Sequence, residues 1–192
     1  VEENKNIRKD VERLNQKIDI VSDVIAAQQA YAGIESIFEE CALEIVIEDA
    51  LTLEAGTIDR HGITIVKDYD RVPKVPIQKT KLIHVLINLI NNARDAMMDL
   101  EVSERVLNIM LKKEKEWVVL QFSDRGKGVK EEDLQKIFTH GFTTKESGHG
   151  FGLHSSANFM QEMNGKMWVE SAGEGKGATF VLQFQEKQKP KD

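Results

Sequence analysis

Four short segments of this chain hold the residue types that bind or position charged groups. In Asn88-Leu89-Ile90-Asn91-Asn92-Ala93-Arg94-Asp95-Ala96, Asn88 and Asn92 stand four apart. On a helix that spacing puts both carboxamides on one face. Asparagine is disfavoured inside helices unless its amide has a partner. Two carboxamide oxygens on one face suit a hard cation that also touches phosphates, as magnesium does with few protein ligands. Hydrogen bonds to neighbouring loops are the plainer use of the same pair. In Asp124-Arg125-Gly126-Lys127-Gly128 a carboxylate ends a strand-like run. It could accept from an exocyclic amine, and the glycines would let a flat ring approach the backbone. Taken alone, Asp beside Gly is an ordinary turn.

The third segment is Phe138-Thr139-His140-Gly141-Phe142-Thr143-Thr144-Lys145, and the fourth is Gly148-His149-Gly150-Phe151-Gly152-Leu153. The fourth opens a helical pattern, and glycines leading into a helix N-terminus present N–H groups and a positive dipole end to phosphate oxygens. Lys145 supplies a mobile cation nearby. The alternating glycines lack the dinucleotide-binding spacing and follow no strand. Gly173-Glu174-Gly175-Lys176-Gly177 precedes a strand with the wrong spacing for a P-loop, so it reads as a hairpin turn.

These segments need elements to position them. A helix is expected from about Asn6 to Ala32, with apolar residues at Ile7, Val11, Leu14, Ile18, Val21 and Ile25. Spacings alternating between four and three are the seam of a coiled coil or helical bundle. An amphipathic helix packed on the domain's own core is the alternative. After Gly33 the pattern predicts a helix over Ile37–Glu54, a strand over His61–Val66, and a loop holding Pro73 and Pro76. A helix over Lys79–Leu100 follows, then strands over Val106–Lys112 and Trp117–Ser123. A short helix (Glu131–Phe138), a helix over Leu153–Asn164, and strands over Lys166–Ser171 and Ala178–Gln185 complete the list, before a polar tail. Strands and helices joined by short turns predict an α+β fold, a two-layer sandwich of a mixed sheet against helices with a long N-terminal helix. The expected divisions are residues 1–34, 35–186 and 187–192.

The chain has 192 residues, is 41% hydrophobic and 30% charged, and carries a formal net charge of −6. That size and balance suit one packed domain with an appendage. The negative charge argues against broad attraction to nucleic acid or an anionic membrane surface. One cysteine, Cys41, makes no internal disulfide, so a reducing cytoplasm is the expected compartment. No apolar run approaches the roughly 20 residues that cross a bilayer, and the first residues lack a signal-peptide layout. Membrane attachment of a parent protein stays open, because the chain starts with Val and reads as part of something longer.

In this order the four segments resemble the N, G1, F and G2 boxes of the ATPase family shared by gyrase, Hsp90-type chaperones, histidine kinases and MutL. The resemblance covers roughly Ile37 to Phe184 and implies a Bergerat-type ATP-binding fold. It implies that Asp124 reads adenine, with Gly126, Gly128 and Thr179 around the ring, and that Asn88 and Asn92 hold Mg2+. It also implies that Phe142, Thr144, Lys145, Gly148, His149, Gly150, Phe151, Gly152 and Leu153 line or cover the phosphates of ATP. Asp95 matches an acidic position of some branches and is given no role.

The branch follows from Asn88. Hydrolytic members and the serine kinases of the family carry a glutamate base at that position, and an amide cannot take a proton. Histidine kinases commonly have asparagine there, since a neutral imidazole is already a nucleophile. The resemblance to short-lid histidine kinases makes Asn88 and Lys145 the candidate catalytic residues. It implies as partners a dimerisation and phosphoacceptor helix, a response regulator receiver domain and, in the full-length protein, a second copy of the kinase. None of the five histidines, His61, His84, His140, His149 and His154, has the setting of an acceptor. The acceptor is therefore expected outside this chain. A MutL- or chaperone-like ATPase and a nucleotide-binding interaction module without catalysis stay open as other readings.

Overall fold

The computed structural model describes residues 37–144 and 150–186. The expected helix Asn6–Ala32, the residues Lys145, Gly148 and His149, and the polar tail lie outside the described residues. Within them the order is β1 (Glu39–Cys41), α1 (Leu43–Leu53), α2 (Ala55–His61), β2 (Thr64–Tyr69), β3 (Val75–Ile77) and α3 (Lys79–Ala96). Then come β4 (Val106–Glu114), β5 (Trp117–Asp124), α4 (Gly152–Glu162), β6 (Lys166–Glu170) and β7 (Thr179–Gln185).

Five strands form one mixed sheet in the order β2-β4-β5-β7-β6. Only β2 and β4 run parallel, and the other neighbours are antiparallel. Helices α1, α3 and α4 cover one face, with α3 in the middle, packed against both others and against β5. The expected α+β sandwich is therefore the observed one. Strand alternation decides what meets the helices. Leu107, Ile109 and Leu111 of β4, Val118, Leu120 and Phe122 of β5, and Phe180, Leu182 and Phe184 of β7 all join the core. Against them α3 presents Leu82, Val85, Leu86, Leu89, Ile90 and Ala93, the stripe that a 3.6-residue repeat puts on one face. Full burial of a side chain such as Phe122 contributes about 1.5–3 kcal/mol.

Several boundaries differ from the sequence expectation, each for a tertiary reason. The run expected as one helix over Ile37–Glu54 begins as β1, which pairs antiparallel with β3 in a separate two-stranded sheet, Glu40 opposite Pro76. Pro76 thus lies in a strand and not in a loop, tolerated because a two-stranded ribbon leaves an edge where no N–H is required. Gly56 does not end a helix. The chain turns at Glu54 and continues as α2, which stops at Gly62 in the left-handed conformation, φ 62°.

Helix α3 ends at Ala96 and not at Leu100. The N–H of Leu100 bonds the Met97 carbonyl, while the carbonyl of Ala96 accepts the N–H of Lys127 at 2.9 Å. Arg105 fixes the chain beyond, donating to the carbonyls of Leu100 (3.1 Å), His61 (2.9 Å) and Met98 (3.0 Å). The expected short helix over Glu131–Phe138 is two 3-10 turns, Glu131–Asp133 and Lys136–Phe138, anchored by buried Ile137.

Candidate nucleotide-binding site

Asp124 is the last residue of β5 and sits on the same alternating face as Val118, Leu120 and Phe122. The strand's own period therefore carries a carboxylate to the helix-facing side, where it is 8% exposed. Its Oδ1 accepts the N–H of Gly126 at 2.8 Å, which closes a tight turn at the strand end. Burial pushes the Asp124 carboxyl above the ordinary pKa of an aspartate, opposed by backbone hydrogen bonds around it.

The turn that follows is held from two sides. Lys127 donates to Ala96 at the end of α3, and a side chain at Gly126 would collide with the Ala96 backbone. From the other side comes the glycine-rich hairpin between β6 and β7. Gly177 donates to the Gly126 carbonyl at 3.0 Å and Gly175 to that of Lys127 at 2.7 Å. Ser171 Oγ accepts from the N–H of Val129 (3.0 Å) and donates to the Gly177 carbonyl (2.7 Å). The expected turn at Gly173–Gly177 is present, and it also braces the Asp124 loop, which its sequence did not indicate. Gly128 adopts φ 69° in this loop, a left-handed value that favours glycine. Thr179 starts β7 opposite Ser123, and their hydroxyls meet at 2.9 Å.

Asn88 and Asn92 lie on the rim of α3's buried stripe and are half-buried. Asn92 Nδ2 donates to Asn88 Oδ1 at 3.3 Å, and Asn88 Nδ2 donates to Ser156 Oγ on α4 at 2.9 Å. The helix spacing thus puts both carboxamides on one face. Asn88 lies against the start of α4 so closely that a Cβ at Gly152 would collide with its Oδ1. Among the described residues no side chain caps α4, which starts at Gly152 after Phe151.

The segment 138–142 folds onto that helix start. Gly141 donates to the Gly150 carbonyl at 3.1 Å, and Gly150, at φ 69°, is backed by the Gly141–Phe142 peptide. His154 Nδ1 donates to the Phe138 carbonyl at 3.0 Å, while its Nε2 accepts from Asn158 at 3.2 Å. The His140 ring packs on Phe151 and, edge-on, on His154, with centroids at 4.8 and 5.3 Å. Phe142 and Leu153 pack against the core, whereas Thr144 is exposed at the edge of the described residues. His84, on the same helix as Asn88, points to solvent.

The second half of α3, the end of β5 and the start of α4 therefore carry an amide pair, a buried carboxylate and a helix N-terminus. Sequence reasoning singled out Asn88, Asn92, Asp124 and Gly152 but passed over Ser156, Ser171 and Ser123. A lone serine carries no motif, and only its position across two elements distinguishes it.

This fold and arrangement define an ATP-binding domain of the kind shared by histidine kinases, gyrase B and HSP90. Residues 77–188 match the model of that family, described as histidine kinase-, DNA gyrase B- and HSP90-like ATPase, and the chain belongs to it. Among relatives, it is 31% identical over 156 residues to the sensor histidine kinase ZraS of Escherichia coli, covering 73% of this chain and 32% of ZraS. It is 33% identical over 144 residues to the adaptive-response sensory kinase SasA of Prochlorococcus marinus, covering 72% and 36%. Its fold matches the catalytic domain of histidine kinase ThkA with a TM-score of 0.67 at 27% identity, over 78% of this chain and 95% of that one. The chain spans about a third of the length of the first of these curated relatives. It carries an ATP-binding catalytic domain of the histidine kinase branch.

Proposed function

We propose that this domain supplies the γ-phosphoryl group of ATP to a histidine on a dimerisation helix outside the chain, as one step of two-component signalling. The observation that carries the reading is that Asn88, paired with Asn92, abuts the start of α4 while the turn of buried Asp124 abuts the end of α3. Asp124 accepts from the exocyclic amine of adenine, with Gly126, Gly128 and Thr179 leaving room for the ring. The first turn of α4, with Gly150, Phe151, Gly152 and Leu153, offers N–H groups to phosphate oxygens. Phe142, Thr144, Lys145, Gly148 and His149 belong to the cover over the phosphates.

The donor set suits Mg2+. Two amide oxygens are hard, neutral donors, and among the described residues no cluster of His, Cys, Asp or Glu competes for a softer metal. Asn92 and Asn88 are the residues that would hold the ion, which would supply charge neutralisation at the phosphates. Asn88 takes no proton, so water is not activated there and the phosphoryl group is kept for the incoming imidazole.

Further partners follow from the branch: a second kinase copy through the dimerisation helix, and a receiver domain that takes the phosphoryl group. The expected second helix of a dimerisation hairpin, within residues 1–34, and the expected tail, residues 187–192, lie outside the described residues. A single cysteine fits a cytoplasmic location, and no described helix is long and apolar enough to cross a membrane.

Calorimetric titration of Mg–ATP into this chain and into Asp124→Asn tests the reading. Binding is expected, and the substitution is expected to abolish it. Labelled ATP should not label the chain by itself but should label a supplied acceptor helix. Absence of binding by the intact chain, or steady ATP turnover without an acceptor, overturns the proposal.

A further inference from the structure

Ser156 is the one buried hydroxyl of α4's helix-facing side, 2% exposed among Phe159, Met160 and the stripe of α3. Its hydroxyl proton is committed, because Oγ donates to the Gly152 carbonyl one turn back at 2.8 Å. That bond alone is the ordinary way a helical serine satisfies itself. What is not ordinary is the second contact. With its proton spent on Gly152, Oγ can only accept from Asn88, so it can face the NH2 side of that carboxamide and not its oxygen. Nδ2 of Asn88 indeed meets it at 2.9 Å. The oxygen of Asn88 is thereby turned to the other side, where it accepts Nδ2 of Asn92 at 3.3 Å. Spending that NH2 on Asn88 turns the oxygen of Asn92 the opposite way round its own amide. A directional relay thus runs from the Gly152 carbonyl through Ser156 and Asn88 to Asn92.

We infer that Ser156 is a positioning residue: it fixes which end of each carboxamide faces the nucleotide, and so presents oxygen rather than NH2 to the Mg2+ of Mg–ATP. The inference rests on the nucleotide reading above. A flipped Asn92 would direct N–H dipoles at the cation, and an amide free to flip spends part of its time so. Because the relay starts at the first residue of α4, it also ties the amides to the helix end proposed to meet the phosphates. Ser156 touches neither nucleotide nor metal. Its influence runs through Asn88.

The first readout needs no metal or nucleotide. In 15N-labelled chain, the Asn88 side-chain NH2 should exchange slowly and show a shifted resonance, and Ser156→Ala should remove both features. The second readout is ATP affinity with Mg2+ and with EDTA. Ser156→Ala should weaken Mg2+-dependent binding about fivefold, the worth of one net hydrogen bond, and leave the affinity in EDTA unchanged. In an Asn88→Ala background the same substitution should have no further effect on Mg2+-dependent binding. Ser156→Thr, which keeps the hydroxyl, should restore the Mg2+ dependence.

Equal loss with Mg2+ and with EDTA would overturn the inference, as would an undiminished effect in the Asn88→Ala background. An Asn88 NH2 signal untouched by Ser156→Ala would overturn it as well. Should the intact chain bind no nucleotide at all, the nucleotide reading fails, and the metal-free signal of Asn88 decides the positioning role alone.

Discussion

The Cα of Gly177 lies against the carbonyl of Asp124 so closely that any side chain at position 177 would collide with it. The contact joins the start of β7 to the end of β5 at the residue proposed to read adenine. Gly177 also adopts φ 70°, a value that L side chains rarely take. Gly177→Ala should therefore displace Asp124, lower stability by about 2–4 kcal/mol in denaturant unfolding, and remove nucleotide binding. Gly175 has the same φ of 70° but open space around it. Gly175→Ala should cost only the backbone term, about 1–2 kcal/mol, with binding retained.

Asp124 carries a pH signature. Burial, the largest influence, raises its pKa above that of the unfolded chain. Between the two values the folded state binds more protons than the unfolded state, so this group's contribution is full at low pH and is lost as pH rises through the folded pKa. Without nucleotide, Asp124→Asn should then melt higher than the parent protein near pH 7. The gap should close as the pH falls to the ordinary aspartate range. Thermal unfolding of both proteins across that range measures it, and an unchanged gap would contradict the burial argument. The same substitution removes the acceptor proposed for adenine, so stability and binding should move in opposite directions.

Arg105 ties three backbone carbonyls, from α2 and from the chain after α3, with one guanidinium. Arg105→Ala leaves those carbonyls to water or to nothing and should cost about 1–3 kcal/mol in chemical denaturation. Lysine cannot reproduce the fork, so Arg105→Lys should recover little of this. Both variants should bind Mg–ATP with unchanged affinity at temperatures where they are folded, because the residue serves the frame and not the pocket.

Thr179 and Ser123 share a hydroxyl contact at 2.9 Å between β7 and β5, just before Asp124. Thr179→Val keeps the strand-favouring shape and deletes that contact, whereas Thr179→Ser keeps it. The valine variant should lose about fivefold in ATP affinity, and the serine variant should stay near the parent. Isothermal titration distinguishes the two, and equal affinities would remove Thr179 from the proposed adenine pocket.

Much of this domain could be read before any coordinates. The period-2 runs of β4 and β5 and the 3.6-period stripe of α3 mark their own buried faces, since each element's geometry repeats within a few residues. Asn88, Asn92, Asp124 and the glycines from Gly150 stand out for a similar reason. Each is a residue type with a local cost, namely amides in a helix, a carboxylate at a strand end and glycines at a helix start, and such costs are visible in sequence.

Other features depend on partners far along the chain. Glu39–Cys41 is a strand only because Val75–Ile77 lies beside it. Helix α3 stops at Ala96 because a loop 31 residues later takes its carbonyl. The hairpin at Gly173–Gly177 is legible as a turn, but its grip on Asp124 is not, since that grip is made by backbone groups that every residue has. Ser156 is the clearest case. By itself the chain determined that two amides share a face of α3. Which end of each amide points where was decided by a hydroxyl 68 residues from Asn88, because a hydrogen bond's direction is set by the geometry of both partners and only tertiary packing brings them together.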